Sequence, residues 1–144
     1  MYLPITTAFG ILAGLVQTLG FIRWPFLVPH LANTYLNPAA SEATRAAVVI
    51  VFEAFHRYAG VAIGEHLGFT TTGIWTFLIS AALVQTRFIP RWLGWLGMAL
   101  ALGVAVGIFE VVGWAFAGTV NAISYLLWAL WLVVVGVMFL RGKS

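Results

Sequence analysis

Four long, largely apolar stretches of the chain carry no charge. Met1 to Ile22 carries no charge and is closed by Arg23, with Pro4 in its first turn, where a missing N–H costs least. Leu67 to Thr86 carries none. Trp92 to Phe109 carries none and is ended by Glu110 and a Gly113/Gly118 turn region. Val120 to Leu140 carries none and is closed by Arg141-Gly142-Lys143. Each approaches the roughly 20 apolar residues that a helix needs to cross a bilayer. Two prolines and a Trp beside an Arg, in Arg23-Trp24-Pro25-Phe26-Leu27-Val28-Pro29-His30, read as an interfacial exit from the membrane. Residues 32–40, with Asn33, Asn37 and Pro38, read as a turn, and either Asn37-Pro38 or Ser41 can cap the next helix. Arg87-Phe88-Ile89-Pro90-Arg91-Trp92 reads as a short basic turn.

The segment from about 41 to 60 has a different pattern. At helical spacing, Glu42, Arg45, Glu53, His56, Arg57 and Gly60 fall within an arc of about 120°. Ala47, Val48, Val51, Ala54, Phe55 and Tyr58 cover the opposite side. Glu53 and Arg57 are four apart with the acid N-terminal, the better order for an ion pair. Continued as one helix, Glu65 and His66 would leave the polar stripe, so Gly60 to Gly64 is read as a break. Such a helix suits the membrane interface, its apolar face in lipid.

These elements predict an all-α membrane protein: one domain over 1–144, with four transmembrane helices at about 3–24, 64–86, 92–111 and 119–140. One amphipathic interfacial helix lies at about 41–60. Basic residues orient it. Arg87, Arg91, Arg141 and Lys143 share a side if the last two spans form a hairpin, which makes that side, and both termini, cytoplasmic. The four Glu and three His then lie on or near the outer side with Arg23, Arg45 and Arg57. A five-span alternative turns residues 46–64 into a span. It moves Arg23 and Arg45 inside, at the expense of burying Glu53, His56 and Arg57. The multi-pass location expected is the cell (plasma or inner) membrane. Met1 to Val28 lacks the basic start of a signal peptide and reads as a retained span.

Composition sharpens this picture. Of 144 residues, 62% are hydrophobic and 8% charged, where a soluble domain carries about 25% charged residues; mean hydropathy is +1.03. That excludes an ordinary soluble domain, a disordered chain and a nucleic-acid binder. The net charge of +3 orients spans rather than recruiting an acidic partner. Without cysteine, disulfides, Cys-ligated metal and thiol chemistry are excluded.

Four segments resemble a family of bacterial membrane proteins known as domain of unknown function family 4386. They are Arg23 to Pro29, Phe52-Glu53-Ala54-Phe55-His56-Arg57-Tyr58, Gly64-Glu65-His66-Leu67-Gly68, and Ile89-Pro90-Arg91-Trp92-Leu93-Gly94-Trp95-Leu96-Gly97. The resemblance covers nearly the whole chain, and the Pro-Arg-Trp turn is its most recognisable part. It implies a polytopic helical membrane protein. Members are expected to be longer, with about six spans, so that this chain resembles roughly the last four. The family brings no activity, substrate or catalytic residue.

Candidate chemistry is sparse. Glu53, His56 and Arg57 form the one polar constellation on a helical face; together with Glu65 and His66 they are the candidate ligand-binding residues, an outer cluster able to serve a small molecule or ion. No catalytic residue is named: G-x-S-x-G, Walker A and H-E-x-x-H motifs are absent, and spans two to four lack an interior charge. No metal site is expected, since no two His share i, i+3 or i, i+4 spacing. No cofactor is expected either. Haem would require His on facing helices, for which only His30 with His66 is geometrically sensible. Packing signals are richer. Gly10–Gly14, Gly60–Gly64, Gly64–Gly68 and Gly103–Gly107 all read G-x-x-x-G, the spacing that lets helix backbones approach closely. Trp24, Trp92 and Trp95 fall at interfaces; Trp75, Trp114, Trp128 and Trp131 lie nearer or within spans and read as packing residues. The expectation is therefore a non-catalytic accessory or scaffold subunit. Its partners are the lipid bilayer, other membrane subunits or copies of itself. Ligand binding or transport is the alternative, and a haem or quinone redox subunit a third class.

Overall fold

A computed structural model describes residues 3–86 and 89–141. Arg87 and Phe88 of the basic turn, and Gly142 and Lys143 after the last span, lie outside the described residues. The described chain is helical almost throughout. In order it comprises α1 (Leu3–Phe21), α2 (Arg23–Leu36), α3 (Glu42–Phe55), a π-helical segment (His56–Leu67), α4 (Gly68–Thr86), α5 (Arg91–Ala105), a 3₁₀ segment (Val106–Val112) and α6 (Ala117–Arg141). Several of these join end to end. Four continuous helices, Leu3–Leu36, Glu42–Thr86, Arg91–Val112 and Ala117–Arg141, are long and apolar enough to cross a membrane. The chain divides into two compact units, residues 14–68 and residues 1–13 with 69–144.

In the unit 14–68, the helix continues through the Arg23–His30 segment. Ile22 N–H donates to Thr18 O at 2.9 Å, carrying the winding through from α1 to α2. Pro25 lies in the first turn of α2, where little backbone bonding is lost, and Pro29 is the one proline inside the helix. The turn is therefore narrower than 32–40. It begins at Asn37, whose backbone is extended (φ −61°, ψ 123°) because Pro38 disfavours a helical residue before it. Asn37 Oδ1 accepts from Ala39 N–H at 3.0 Å. Ser41, extended at φ −67°, ψ 161°, caps α3 by accepting Thr44 N–H at 3.1 Å. Arg45 reaches back to the last carbonyls of α2, donating to Tyr35 O at 3.2 Å and to Asn37 O at 3.5 Å, where a helix C-terminus favours a cation.

The break expected at Gly60–Gly64 takes another form. The backbone stays helical but winds more widely, as a π-helix of 12 residues that carries α3 into α4. Two glycines there leave room on one side: a Cβ at Gly20 would lie 2.5 Å from Gly64 Cα. The amphipathic segment is thus the first part of a 45-residue helix, more than twice the roughly 20 residues that a span needs. The hydrocarbon core is about 30 Å thick, so this helix has length to spare for the interface, and its charged residues other than Glu65, from Glu42 to Arg57, lie within its first 16 residues.

The second unit is built on α4, α5 and α6. The helix begun by α5 tightens into the 3₁₀ segment and ends at Gly113, whose φ of +84° is left-handed, a conformation glycine adopts without a Cβ clash. Trp114 and Phe109 pack edge to face across that turn, 6.0 Å between ring centres. Gly118, expected in the turn, lies in the first turn of α6. Leu83, Ile89, Leu93, Leu100, Trp131 and Val135 form the buried cluster, flanked by Ile79, Trp128, Leu132 and Met138.

Candidate functional site

Two kinds of place compete: the close helix contacts of the unit containing α4–α6 and the polar cluster of the unit 14–68.

In lipid, apolar side chains gain little by leaving the solvent, so helices associate through close packing and polar contacts. The unit with α4, α5 and α6 uses both. Thr72, Thr76 and Ser80, one turn apart on α4, are at most 1% exposed. Trp128 Nε1–H donates to Thr76 Oγ1 at 2.8 Å. Trp131 Nε1–H, on a residue 3% exposed, donates to Leu93 O at 2.8 Å. Asn121 Nδ2–H donates to Val104 O at 2.7 Å. Around these bonds the helices meet at glycine. A Cβ at Gly97 would strike the Ser80 hydroxyl and the Trp131 ring; at Gly94, Val84 and the Ser80 carbonyl; at Gly73, Ala101 O at 3.2 Å.

The glycines named from spacing separate into different environments. Gly103 abuts the Ser124 hydroxyl, Gly107 the Asn121 amide and Phe69 ring, and Gly10 the Trp75 indole, 2.7 Å from its Cβ position. Gly64 faces Gly20, and Gly60 faces a guanidinium, while Gly14 has open space above it. Spacing overlooked Gly20, Gly73, Gly94 and Gly97, whose partners (Gly64, Ala101, Val84 and Ser80 with Trp131) lie elsewhere in the chain. A signal was available in Thr72-xxx-Thr76-xxx-Ser80, the same small-residue spacing without glycine, and in Asn121, an amide inside an otherwise apolar span.

In the unit 14–68 the polar candidates lie in different surroundings. Glu53, Arg57 and His66 are exposed and Glu65 is half-buried. Among the described residues no ion pair joins Glu53 to Arg57. His56 is half-buried as well. Its ring stacks on Phe52 with centroids 5.9 Å apart, and its Nδ1 is buried without a hydrogen-bond partner. Beside it is a residue that spacing did not single out as a site. The Arg23 guanidinium lies over Gly60, 2.7 Å from the position a Cβ there would take, with His56 Nδ1 3.1 Å from that same position. Arg23 Nη1–H donates to Gly20 O, its Cζ is 5.2 Å from the Trp24 ring centre, and its Nε is buried without a partner. Gly60 is what admits the arginine, which is why the pairing is invisible on a helical wheel. His30 and Glu42 are exposed, and no group of three His, Asp or Glu able to hold a metal forms among the described residues.

The family described as a domain of unknown function (DUF4386) matches residues 4–136. No curated protein matches the chain, and no solved structure does. The matched residues include the Arg23–Pro29, Phe52–Tyr58, Gly64–Gly68 and Ile89–Gly97 motifs. The chain belongs to the DUF4386 family, as a helical membrane protein with four candidate membrane-spanning helices.

Proposed function

We propose that this chain is a non-catalytic polytopic membrane protein, a small helical accessory or scaffold subunit that packs against copies of itself or a larger membrane complex. One observation carries the reading. The buried polar residues of the described chain are Thr6, Thr71, Thr72, Thr76, Ser80, Asn121 and Ser124, with no ionisable side chain among them. Hydroxyls, an amide and indoles at glycine contacts hold helices together. They supply neither a general base nor a charge for an ion to follow.

Gly103 and Gly107 are occupied by contacts within the chain, whereas Gly14 and Gly136 are exposed and have nothing within 4 Å of a Cβ position. A partner helix that uses small residues therefore has these two to approach. Gly14→Leu and Gly136→Leu should lower oligomer size on a column, or the yield of co-purifying subunits in mild detergent, with helicity unchanged. Glu65→Gln and His66→Ala should leave association intact. If both leucine variants associate as the natural chain does while His66→Ala alters what co-purifies, ligand binding through Glu53, His56, Arg57, Glu65 and His66 replaces the scaffold reading. The unpartnered His56 Nδ1 is the observation that favours that second reading.

The same reading includes a cell-membrane location with both termini cytoplasmic, supported by the basic residues Arg87, Arg91, Arg141 and Lys143. A cysteine introduced as Ala39→Cys should react with an impermeant thiol reagent on intact cells. Labelling only after the membrane is opened would reverse the orientation.

A further inference from the structure

Arg23 is a permanent cation placed where a cation is expensive to keep without an anion. It is half-buried. Its contacts are a carbonyl, Gly20 O, and the Trp24 ring; its Nε has none, and no carboxylate pairs with it among the described residues. Charges withdrawn from water are paired or solvated by hydrogen bonds in stable structures, and this one is incompletely satisfied by its own chain. Beside it runs an open groove of about 390 Å³ lined by Leu19, Ile22, Phe26, Phe55 and Ala59. Apart from the arginine, those walls are hydrocarbon and aromatic.

Position adds a third observation. From Leu3 to Arg23 the helix advances about 30 Å, the thickness of the hydrocarbon core. Trp24, the neighbour, is of the type that marks the headgroup level. An apolar groove with one unneutralised guanidinium at headgroup depth matches an amphiphile with an acidic head and an apolar tail.

We propose that this groove is a binding site for an anionic phospholipid. An acyl chain lies against Leu19, Ile22, Phe55 and Ala59, and the phosphate accepts hydrogen bonds from the Arg23 guanidinium where it lines the groove. Gly60 is part of the site because its missing side chain is the space in which the guanidinium lies. A zwitterionic lipid fits the groove less well, since its own ammonium competes for the phosphate and leaves the arginine without net compensation.

The full-length protein in mild detergent, equilibrated with equal amounts of phosphatidylglycerol and phosphatidylcholine of identical acyl chains, tests this by native mass spectrometry. A charge-assisted contact of this kind should enrich phosphatidylglycerol about tenfold. Arg23→Gln should bring the ratio to about one. Arg91→Gln, an exposed arginine that does not line the groove, should leave it unchanged, and Ala59→Phe should lower occupancy by both lipids. If Arg23→Gln does not fold, Gly60→Ala decides, because a methyl group there displaces the guanidinium while keeping the charge in the chain. Equal uptake of both lipids by the natural chain overturns the proposal. So does enrichment that survives both Arg23→Gln and Gly60→Ala, or a second copy of the chain occupying this face in place of lipid.

Discussion

The two units satisfy their polar groups differently. Around α4–α6, indole and amide donors meet buried acceptors: Trp128 with Thr76, Trp131 with Leu93 O, Asn121 with Val104 O. Glycine contacts keep side chains and backbones close enough for those bonds to form. The unit 14–68 buries almost no large side chain. Its α3 has no buried residue at all, and it leaves Arg23 Nε and His56 Nδ1 buried without partners. One Ser80 hydroxyl around α4–α6 is also without a partner, but it is neutral and pressed against Gly97 and the Trp131 ring. In a medium that cannot hydrogen-bond, a satisfied polar group is explained by packing alone. An unsatisfied charge calls for something outside the chain. On that difference rest the two proposals, packing for α4–α6 and lipid binding for the region around Arg23.

The sharpest way to break this comparison is Gly97→Leu. The added side chain must displace Trp131 or Ser80, and overpacking at such a site costs about 3 kcal/mol or more. The expected outcome is loss of monodisperse protein or a large drop in thermal unfolding temperature, with Gly136→Leu close to the natural chain as the control. Equal stability of the two variants would show that the α4–α6 contacts are not tight.

Asn121→Leu should come next, at about 1–2 kcal/mol, because it removes the buried bond to Val104 O and puts a branched side chain beside Gly107. Unfolding in mixed detergent, compared with the natural chain, reads it. Trp131→Phe keeps most of the packing and removes only the bond to Leu93 O, so about 1 kcal/mol is expected. A double-mutant cycle of Trp128→Phe with Thr76→Val should return a coupling of the same size. Additivity in that cycle would mean that the bond contributes nothing to stability.

The smallest effect belongs to the other unit. Glu53→Gln with Arg57→Gln should change stability by about 1 kcal/mol or less, since both side chains are exposed and unpaired. A loss of several kcal/mol would place the polar stripe inside an assembly and move the functional reading to the Glu53–Arg57 face.

Much of this arrangement is legible in the sequence. The four uncharged runs, the Ser41 cap, the Gly113 turn and the amphipathic 41–60 segment follow from local rules: hydrophobic length, a hydroxyl three residues before a free N–H, a residue without Cβ. The proline segment stays helical because Pro25 sits in a first turn and Pro29 forfeits a single bond. The Glu53–Arg57 pair misled because i, i+4 spacing permits an ion pair on an exposed surface without compelling one. Arg23 could not be identified from spacing, since its significance depends on Gly60, 37 positions away in the chain.

By itself the sequence determined that the chain is helical, that it belongs in a bilayer and roughly where its helices cross, because those properties are set by composition and by periodicity within each segment. Only the tertiary structure decided which glycines are contact points, which aromatic side chains donate buried hydrogen bonds, and which cation is left unsatisfied. Those properties depend on pairs of residues brought together by packing. In lipid, where burial barely discriminates one apolar partner from another, the shape of the facing helix makes the choice.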